Sequence, residues 1–166
     1  MKNVFLLLLP ILFLACNSPS AQEKVDNTKI NWISLEEAQA KNKKNPKKLL
    51  VDMYTHWCGP CKMMMRSTFT DAEVIKHVNE NYYAVKFNAE SGEPVKFKEK
   101  EYSNPRFDAS KGKNRRNSPH EFTSAMGIRG YPTLLILDEN LNVLQKIVGF
   151  KKAPQLLPQL NALAAK

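Results

Sequence analysis

The spacing of hydrophobic and polar residues along the chain predicts both helices and strands. The segment SLEEAQAKNKKNP at 34–46 begins with Ser34 three residues before Glu37, which is a capping-box spacing and predicts the first helix. The next segment, KKLLVDMYT at 47–55, is short, apolar and rich in strand-forming residues. It therefore predicts a buried central strand.

Two later segments show helical spacing. DAEVIKHVNENY at 71–82 repeats its apolar residues with the period of a helix and has Asp71 as its expected N-cap. LLPQLNALAA at 156–165 predicts a closing helix with one apolar face, which Pro158 is expected to perturb.

The most apolar stretch of the chain has the architecture of an export signal. Lys2 is followed by VFLLLLPILFLA at 4–15 and then by Cys16, which gives a basic region, an apolar region and a small residue before a cysteine. The apolar run is too short and too close to Met1 for a good membrane-spanning helix. We therefore expect the mature protein to lie outside the cytoplasm.

The end of this stretch, Leu14-Ala15-Cys16, resembles a bacterial lipobox, in which the cysteine receives a lipid and becomes the new N-terminus. Phe13 departs from the smaller aliphatic residue that is usual there, and ordinary cleavage near Ala21 or an uncleaved anchor are the alternatives. The lipoprotein interpretation predicts a protein anchored in the bacterial cell envelope, on the periplasmic face. Its parts are a signal peptide at 1–15, a flexible polar tether at 16–30 and a folded domain at 31–166.

Length and composition describe one globular domain. A chain of 166 residues with 43% hydrophobic residues has room for one sizeable core. Three cysteines are too few for a scaffold held together by disulfides. The formal net charge of +9 is high, but by itself it does not identify a partner.

The remaining two cysteines lie two residues apart in THWCGPCK, and three interpretations compete for them. A structural zinc site needs four ligands, and the scattered histidines at 56, 77 and 120 do not supply a second ligand pair at metal spacing. A purely structural disulfide that closes so short a loop would add little stability. A redox couple formed by Cys58 and Cys61 is the interpretation that is left.

The sequence around the pair suits redox chemistry. The apolar strand ends just before Cys58, and Gly59-Pro60 opens a stretch of helix-forming residues, with proline tolerated in a first helical turn. The dipole and the unpaired backbone amides of a helix N-terminus stabilise a thiolate. Cys58 is then expected to be the exposed nucleophile, and Cys61, one turn later, the shielded cysteine that resolves the mixed disulfide.

The segment WCGPCK at 57–62 carries the complete active-site motif of the thioredoxins, and the chain resembles that family. Asp52 lies six residues before Cys58, where thioredoxins keep a buried acid, and Lys86 matches the lysine that accompanies this acid. The resemblance implies that Asp52 takes the proton of Cys61 through water, with Lys86 tuning its charge. The alternative is that Asp52 merely ends a strand at the surface.

The resemblance extends over two stretches, 47–89 and 120–165. GIRGYPTLLIL at 127–137 is similar to the thioredoxin segment that bears a cis-proline, here Pro132, and Gly149 matches the glycine that closes the last strand. The implied architecture is an α/β protein of the thioredoxin fold, with a central mixed β-sheet flanked by helices. A basic insertion at about 91–119 precedes the cis-proline segment.

The resemblance also implies a client-binding surface around the cysteines. A cis-Pro132 would let the backbone of Tyr131 pair with an incoming peptide, and would keep metals away from the thiols. Tyr131 replaces the aliphatic residue that thioredoxins usually have, which leaves the choice of client open. Trp57 is expected to cover the disulfide, with an ordinary core tryptophan as the alternative. Gly59 and Pro60 complete the predicted surface.

The insertion is the largest departure from a plain thioredoxin. Apolar residues alternate with charges at 95–102, which predicts a small hairpin across 98–100. Between 95 and 116 there are eight Lys/Arg and three Asp/Glu, a net charge of +5. This segment is either a docking loop for a partner or a surface that lies against anionic lipid, or else a solvated decoration. Nucleic acid is not expected to bind it.

The export signal predicts an extracytoplasmic protein, and the resemblance to thioredoxins implies a protein-disulfide reductase that works through the Cys58/Cys61 dithiol. Its partners would be client proteins with disulfides and a protein electron donor, such as a transmembrane protein. No metal, flavin or other cofactor is expected besides the redox-active disulfide. A disulfide oxidase or isomerase, and a non-catalytic binding module that uses the basic insertion, are the alternatives.

Overall fold

The computed structural model describes residues 27–165. The predicted signal peptide, the lipidation site Cys16 and most of the tether lie outside the described residues. Among residues 27–165, the helices are all too short or too polar to cross a bilayer. The elements in chain order are β1 (Trp32–Ile33), α1 (Leu35–Lys44), β2 (Lys48–Tyr54), α2 (Gly59–Ser67), α3 (Ala72–Asn81), β3 (Tyr82–Asn88), β4 (Val95–Phe97), β5 (Lys100–Tyr102), α4 (Glu121–Ala125), β6 (Thr133–Leu137), β7 (Val143–Val148) and α5 (Ala153–Ala164).

A five-stranded mixed sheet forms the centre of the domain, with the strand order β1-β3-β2-β6-β7. The first three of these strands are parallel, whereas β6 runs antiparallel to β2, and β7 runs antiparallel to β6. The central strand β2 buries six of its seven residues, as its apolar sequence predicts. The predicted mixed central sheet is therefore confirmed.

Apolar side chains cover both faces of the sheet, because successive residues of a strand point to opposite faces. On one face, Leu50 of β2 belongs to a cluster with Val78 of α3 and Leu160 of α5. On the other face, Leu49 belongs to a cluster with Phe122 of α4 and the apolar side of α1. The domain is thus a layer of strands between two layers of helices.

The helices begin where their polar caps predict. The Ser34 side chain accepts a hydrogen bond from the Glu37 backbone N–H (3.0 Å), and the Asp71 carboxylate accepts two from the first turn of α3 (3.0 and 3.2 Å). The closing helix α5 runs through Pro158 to Ala164, so this proline does not end the helix. Pro158 lies on the exposed side of the helix.

The insertion begins with the predicted hairpin, formed by the antiparallel strands β4 and β5. Phe97 of β4 packs against Phe122 with ring centroids 5.1 Å apart. The Gln39 side chain of α1 accepts a hydrogen bond from the Lys98 backbone N–H (2.7 Å) and donates one to the Lys96 carbonyl (2.8 Å). The hairpin is therefore attached to the helical layer that contains α1 and α4.

Candidate active site

Cys58 and Cys61 form a disulfide at the N-terminus of α2. Strand β2 ends at Tyr54, and Cys58 is the N-cap of α2, with Pro60 in the first turn. The two Cα atoms are 5.3 Å apart, and the Cys58 sulfur accepts a hydrogen bond from the Cys61 backbone N–H (3.1 Å). The fold therefore places helix N-terminal amides against the sulfur of Cys58, where they stabilise negative charge.

Both cysteines are buried in this oxidised state. Each is only 3% exposed, so Cys61 is shielded as predicted, whereas the predicted exposure of Cys58 is not found in this oxidised state. The reason is the disulfide itself, because it turns the Cys58 side chain toward Cys61 and onto the helix N-terminus. Gly59 and Pro60 are exposed instead. The exposed part of the motif is therefore the Gly-Pro turn rather than either cysteine.

Asp52 lies in the middle of β2 and is 1% exposed. It is paired in register with Lys86 of the neighbouring parallel strand β3. Burial raises the pKa of Asp52 from 3.8 to about 6, and the positive charge of Lys86 opposes part of this rise. The alternative that Asp52 ends a strand at the surface is wrong. An acid with such a pKa can exchange protons near neutral pH.

A cavity of about 180 Å³ lies beside Cys61. Its other walls are the side chains of Tyr54, Thr55, His56, Lys62, Met65 and Lys86. The Thr55 hydroxyl is buried and has no hydrogen-bond partner within the part of the chain that the structure describes. A water molecule in the cavity can satisfy such a hydroxyl. The cavity thus connects Cys61 with Lys86, which pairs in register with Asp52.

The segment before β6 brings Tyr131 and Pro132 to the same end of the sheet. The peptide bond between them is cis. The Pro132 carbonyl accepts a hydrogen bond from the N–H of Gly149 (2.8 Å), whose φ of 82° lies in the region that favours glycine. Burial, and then the negative charge of Glu90, raise the pKa of Tyr131 to about 12. The phenol therefore stays neutral at physiological pH.

Trp57 connects this segment to the insertion. Its ring lies edge-on to that of Tyr131, with centroids 5.9 Å apart. The indole N–H donates a hydrogen bond to the buried carboxylate of Glu90 (2.8 Å), and the guanidinium carbon of Arg116 lies 4.5 Å from the ring centroid. Trp57 is half-buried, so it is not an ordinary core tryptophan. That it covers the disulfide stays a prediction.

A family model described as a thioredoxin-like domain matches residues 35–164. This chain belongs to the thioredoxin-like family. It therefore has the fold of a thioredoxin-like disulfide oxidoreductase, with the CxxC pair at Cys58 and Cys61. A comparison with curated protein sequences gives no significant match.

Several solved structures have a similar fold. A protein from Bacteroides thetaiotaomicron, provisionally assigned as a disulphide isomerase, is 26% identical, and the match has a TM-score of 0.58 and covers 86% of this chain and 97% of that one. A thioredoxin from Thermus thermophilus is 13% identical, with a TM-score of 0.60 and coverage of 83% and 89%. The oxidoreductase DsbH is 18% identical, with a TM-score of 0.57 and coverage of 82% and 85%. The predicted thioredoxin fold is confirmed.

Two residues beside the thioredoxin-like site, Glu90 and Arg116, were not predicted from the sequence. Glu90 follows a buried strand, and an acid in such a place is a weak signal for a buried partner. Arg116 is one of several similar basic residues of the insertion. The contact of Arg116 with Trp57 depends on how the insertion folds back onto the domain, and that of Glu90 depends on the parallel pairing of β2 with β3. A local sequence pattern does not specify either.

The histidines lie in separate environments. His56 is exposed and packs edge-on to Tyr54, whereas His77 lies against the ring of Tyr82. His120 is buried and is the N-cap of α4. Across residues 27–165, the structure has no cluster of three or more His, Cys, Asp or Glu side chains that could hold a metal ion.

Proposed function

We propose that this protein is a thiol–disulfide oxidoreductase of the bacterial cell envelope that reduces disulfides in client proteins. The observation that carries the proposal is the Cys58–Cys61 disulfide at the N-terminus of α2, on the strand–helix unit that also contains the buried Asp52. The Gly-Pro dipeptide between the cysteines favours the reducing direction, by resemblance to thioredoxins. The cysteine pair itself carries the two electrons, without a further cofactor.

In the first step, the thiolate of reduced Cys58 attacks one sulfur of a client disulfide. A bond forms between the Cys58 sulfur and that client sulfur, the client disulfide breaks, and the second client sulfur leaves as a thiolate. The backbone amides at the start of α2 stabilise the attacking thiolate. The backbone of Tyr131, next to Pro132, pairs with the client peptide and orients it.

In the second step, Cys61 releases the client. Asp52 accepts the proton of Cys61 through water, for which the cavity between Cys61 and Lys86, the strand partner of Asp52, leaves room, and the Cys61 thiolate attacks the Cys58 sulfur. The Cys58–Cys61 disulfide forms, and the first client sulfur leaves as a thiolate. The client has then gained two electrons. With a pKa of about 6, Asp52 is mostly ionised at neutral pH, and the charge of Lys86 supports that ionised form.

A dithiol reductase must regain two electrons from a donor, because each turnover leaves the cysteine pair oxidised. The apolar N-terminal segment that ends at Cys16 supports export and lipid attachment, and it motivates the proposed envelope location. In that compartment the redox state of the pair depends on protein partners, since a reducing cytosolic pool is absent. A transmembrane electron donor is the class of partner that fits this location.

A disulfide isomerase or oxidase is the second candidate. It is favoured by the 26% identical structure from Bacteroides thetaiotaomicron, which is provisionally assigned as a disulphide isomerase. The tyrosine before Pro132 also supports it, because this position contacts the substrate in thioredoxins and is usually aliphatic there. Both candidates use the same cysteines and differ in the reduction potential of the pair.

The full chain in a non-ionic detergent, with dithiothreitol as electron donor, tests the proposal on a protein disulfide such as that of insulin. We expect Cys58→Ser and Cys61→Ser to lose turnover. When it is reduced beforehand and freed of dithiothreitol, Cys61→Ser should still attack once and accumulate a mixed disulfide, which a non-reducing gel detects, whereas Cys58→Ser should not. Reduction by the double variant at the parental rate would exclude a role for the pair.

A further inference from the structure

The insertion presents a concentrated positive charge that is not neutralised by the rest of the domain. We define the basic arm as residues 106–116, which have one acidic residue, Asp108, and five basic ones: Arg106, Lys111, Lys113, Arg115 and Arg116. All five basic side chains are exposed. None of them forms an ion pair with a carboxylate of residues 27–165. Their charges are therefore available to a partner.

Hydrogen bonds, rather than an apolar core, hold the basic arm in one conformation. The Asn117 side chain accepts from the Asp108 backbone N–H and donates to the Asp108 carbonyl, both at 2.9 Å, and so closes the loop. At the base of the insertion, the Asn104 amide donates to the carbonyls of Ser91 and Ser118, also at 2.9 Å. A preorganised surface loses little conformational entropy when a partner binds.

The arm is fastened to the rim of the candidate active site. One carboxylate oxygen of Glu90 accepts hydrogen bonds from the indole N–H of Trp57 (2.8 Å) and from the backbone N–H of Asn117 (2.9 Å). The guanidinium group of Arg116 lies over the Trp57 ring. Trp57 immediately precedes Cys58 and contacts Tyr131. The Arg116 end of the basic arm therefore lies beside the surface that receives a client in the proposed function.

We propose that the basic arm is a docking surface for an acidic segment of the client protein, beside the disulfide that the client brings to Cys58. This inference rests on the proposed function. Carboxylates placed on the arm would meet unpaired cations, and complementary charge accelerates and orients association. A contact next to Trp57, which immediately precedes Cys58, would orient the client at the reacting cysteine.

A polypeptide fits this surface better than a membrane does. The Arg116 end of the arm contacts Trp57, the residue before Cys58, so a client that is bound at Cys58 lies next to the arm. A flat anionic bilayer pressed on the arm would instead cover the approach to the disulfide. The arm is therefore assigned to client selection.

Exchange rates on three model disulfides test this inference with the reduced full chain in non-ionic detergent. The substrates are neutral 2-hydroxyethyl disulfide and two peptide disulfides that differ only in Glu or Lys residues flanking the cysteine. We expect the Glu peptide to react roughly tenfold faster than the Lys peptide at low salt. Raising the ionic strength to about 0.5 M should remove most of that preference.

A charge-neutralised arm and a matched control separate the arm from net charge. Lys111→Gln/Lys113→Gln/Arg115→Gln should lose the preference for the Glu peptide and keep the parental rate on 2-hydroxyethyl disulfide. The control, Lys43→Gln/Lys44→Gln/Lys76→Gln, removes three exposed lysines of α1 and α3 and should keep the preference. If both variants lose the preference for the Glu peptide equally, the inference is overturned, because the net charge of the protein would then explain the preference.

Two further outcomes are informative. If the reduced parent protein does not reduce 2-hydroxyethyl disulfide, the proposed function is contradicted. Binding of a Glu peptide with serine in place of cysteine still tests the arm, and equal affinity of the parent and the arm variant would overturn the docking inference. Equal rates on both peptides, with hydrogen exchange of the arm slowed by phosphatidylglycerol nanodiscs but not by phosphatidylcholine nanodiscs, would overturn it in favour of a lipid surface.

Discussion

Replacement of Asp52 by asparagine is expected to stabilise the protein in a pH-dependent way. The pKa of this carboxyl is 3.8 in an unperturbed chain and about 6 in the folded protein, because of burial. Between these two values the folded state holds a proton that the unfolded state has released, so each rise in pH favours unfolding. At 1.36 kcal/mol per unit, the shift costs the folded state about 3 kcal/mol. The cost is complete above about pH 6 and absent below about pH 4.

Urea unfolding of the oxidised full chain and of Asp52→Asn, in steps from about pH 4 to about pH 8, measures this difference. The variant should gain stability relative to the parent as the pH rises, and the difference should level off near neutrality. Glu121→Gln is a control with the opposite sign. The backbone and hydroxyl groups of Ser103 donate to the Glu121 carboxylate and lower its pKa. The parent should be more stable than Glu121→Gln at neutral pH, and this difference in stability should disappear as the pH falls.

A difference between Asp52→Asn and the parent that is the same at every pH would refute the reasoning, because it would mean that folding does not change the pKa of Asp52. A parental advantage at neutral pH that disappears on acidification would refute it more strongly. That behaviour belongs to a carboxylate whose pKa is lowered by a favourable partner.

Three further substitutions are predicted to act through different contacts. Glu90→Ala should release the basic arm from Trp57 and lower the free energy of unfolding by about 1–3 kcal/mol, because it removes the acceptor of two hydrogen bonds. Faster amide exchange in the arm would support this. Glu90→Gln keeps an acceptor and should destabilise the protein less. Gly149→Ala should destabilise the domain by about 1 kcal/mol or more in thermal unfolding, because its φ is 82°. Cys16→Ser should prevent lipid attachment. Metabolic labelling with a radioactive fatty acid should therefore label only the parent protein. Equal labelling of parent and variant would contradict the lipoprotein prediction.

The features that the sequence predicts correctly depend on local chemistry. The caps at Ser34 and Asp71 and the buried strand β2 follow from side chains that act on their own segment. The hairpin of β4 and β5 follows from alternation over a few residues. The spacing of Cys58 and Cys61 likewise predicts that both cysteines lie in the first turn of a helix. Such features need no knowledge of distant residues.

The features that the sequence does not predict depend on contacts between distant segments. Arg116 reaches Trp57 because the insertion folds back onto the site, and Glu90 reaches it because β2 and β3 pair in parallel. The equal burial of Cys58 and Cys61 follows from the closed disulfide, which residue types alone do not specify. Glu90 is a buried acid that binds an indole and a backbone amide. The sequence offers many possible partners for such an acid, and only the fold identifies these two.

The equilibrium reduction potential of the Cys58–Cys61 couple tests the proposed reductase most directly. The full chain in non-ionic detergent is equilibrated with glutathione buffers of defined ratio, and its free thiols are counted after alkylation by mass spectrometry. We predict a potential near about −270 mV, at the thioredoxin end of the scale. A potential between about −180 and −120 mV would contradict the reductase and make the protein an isomerase or an oxidase.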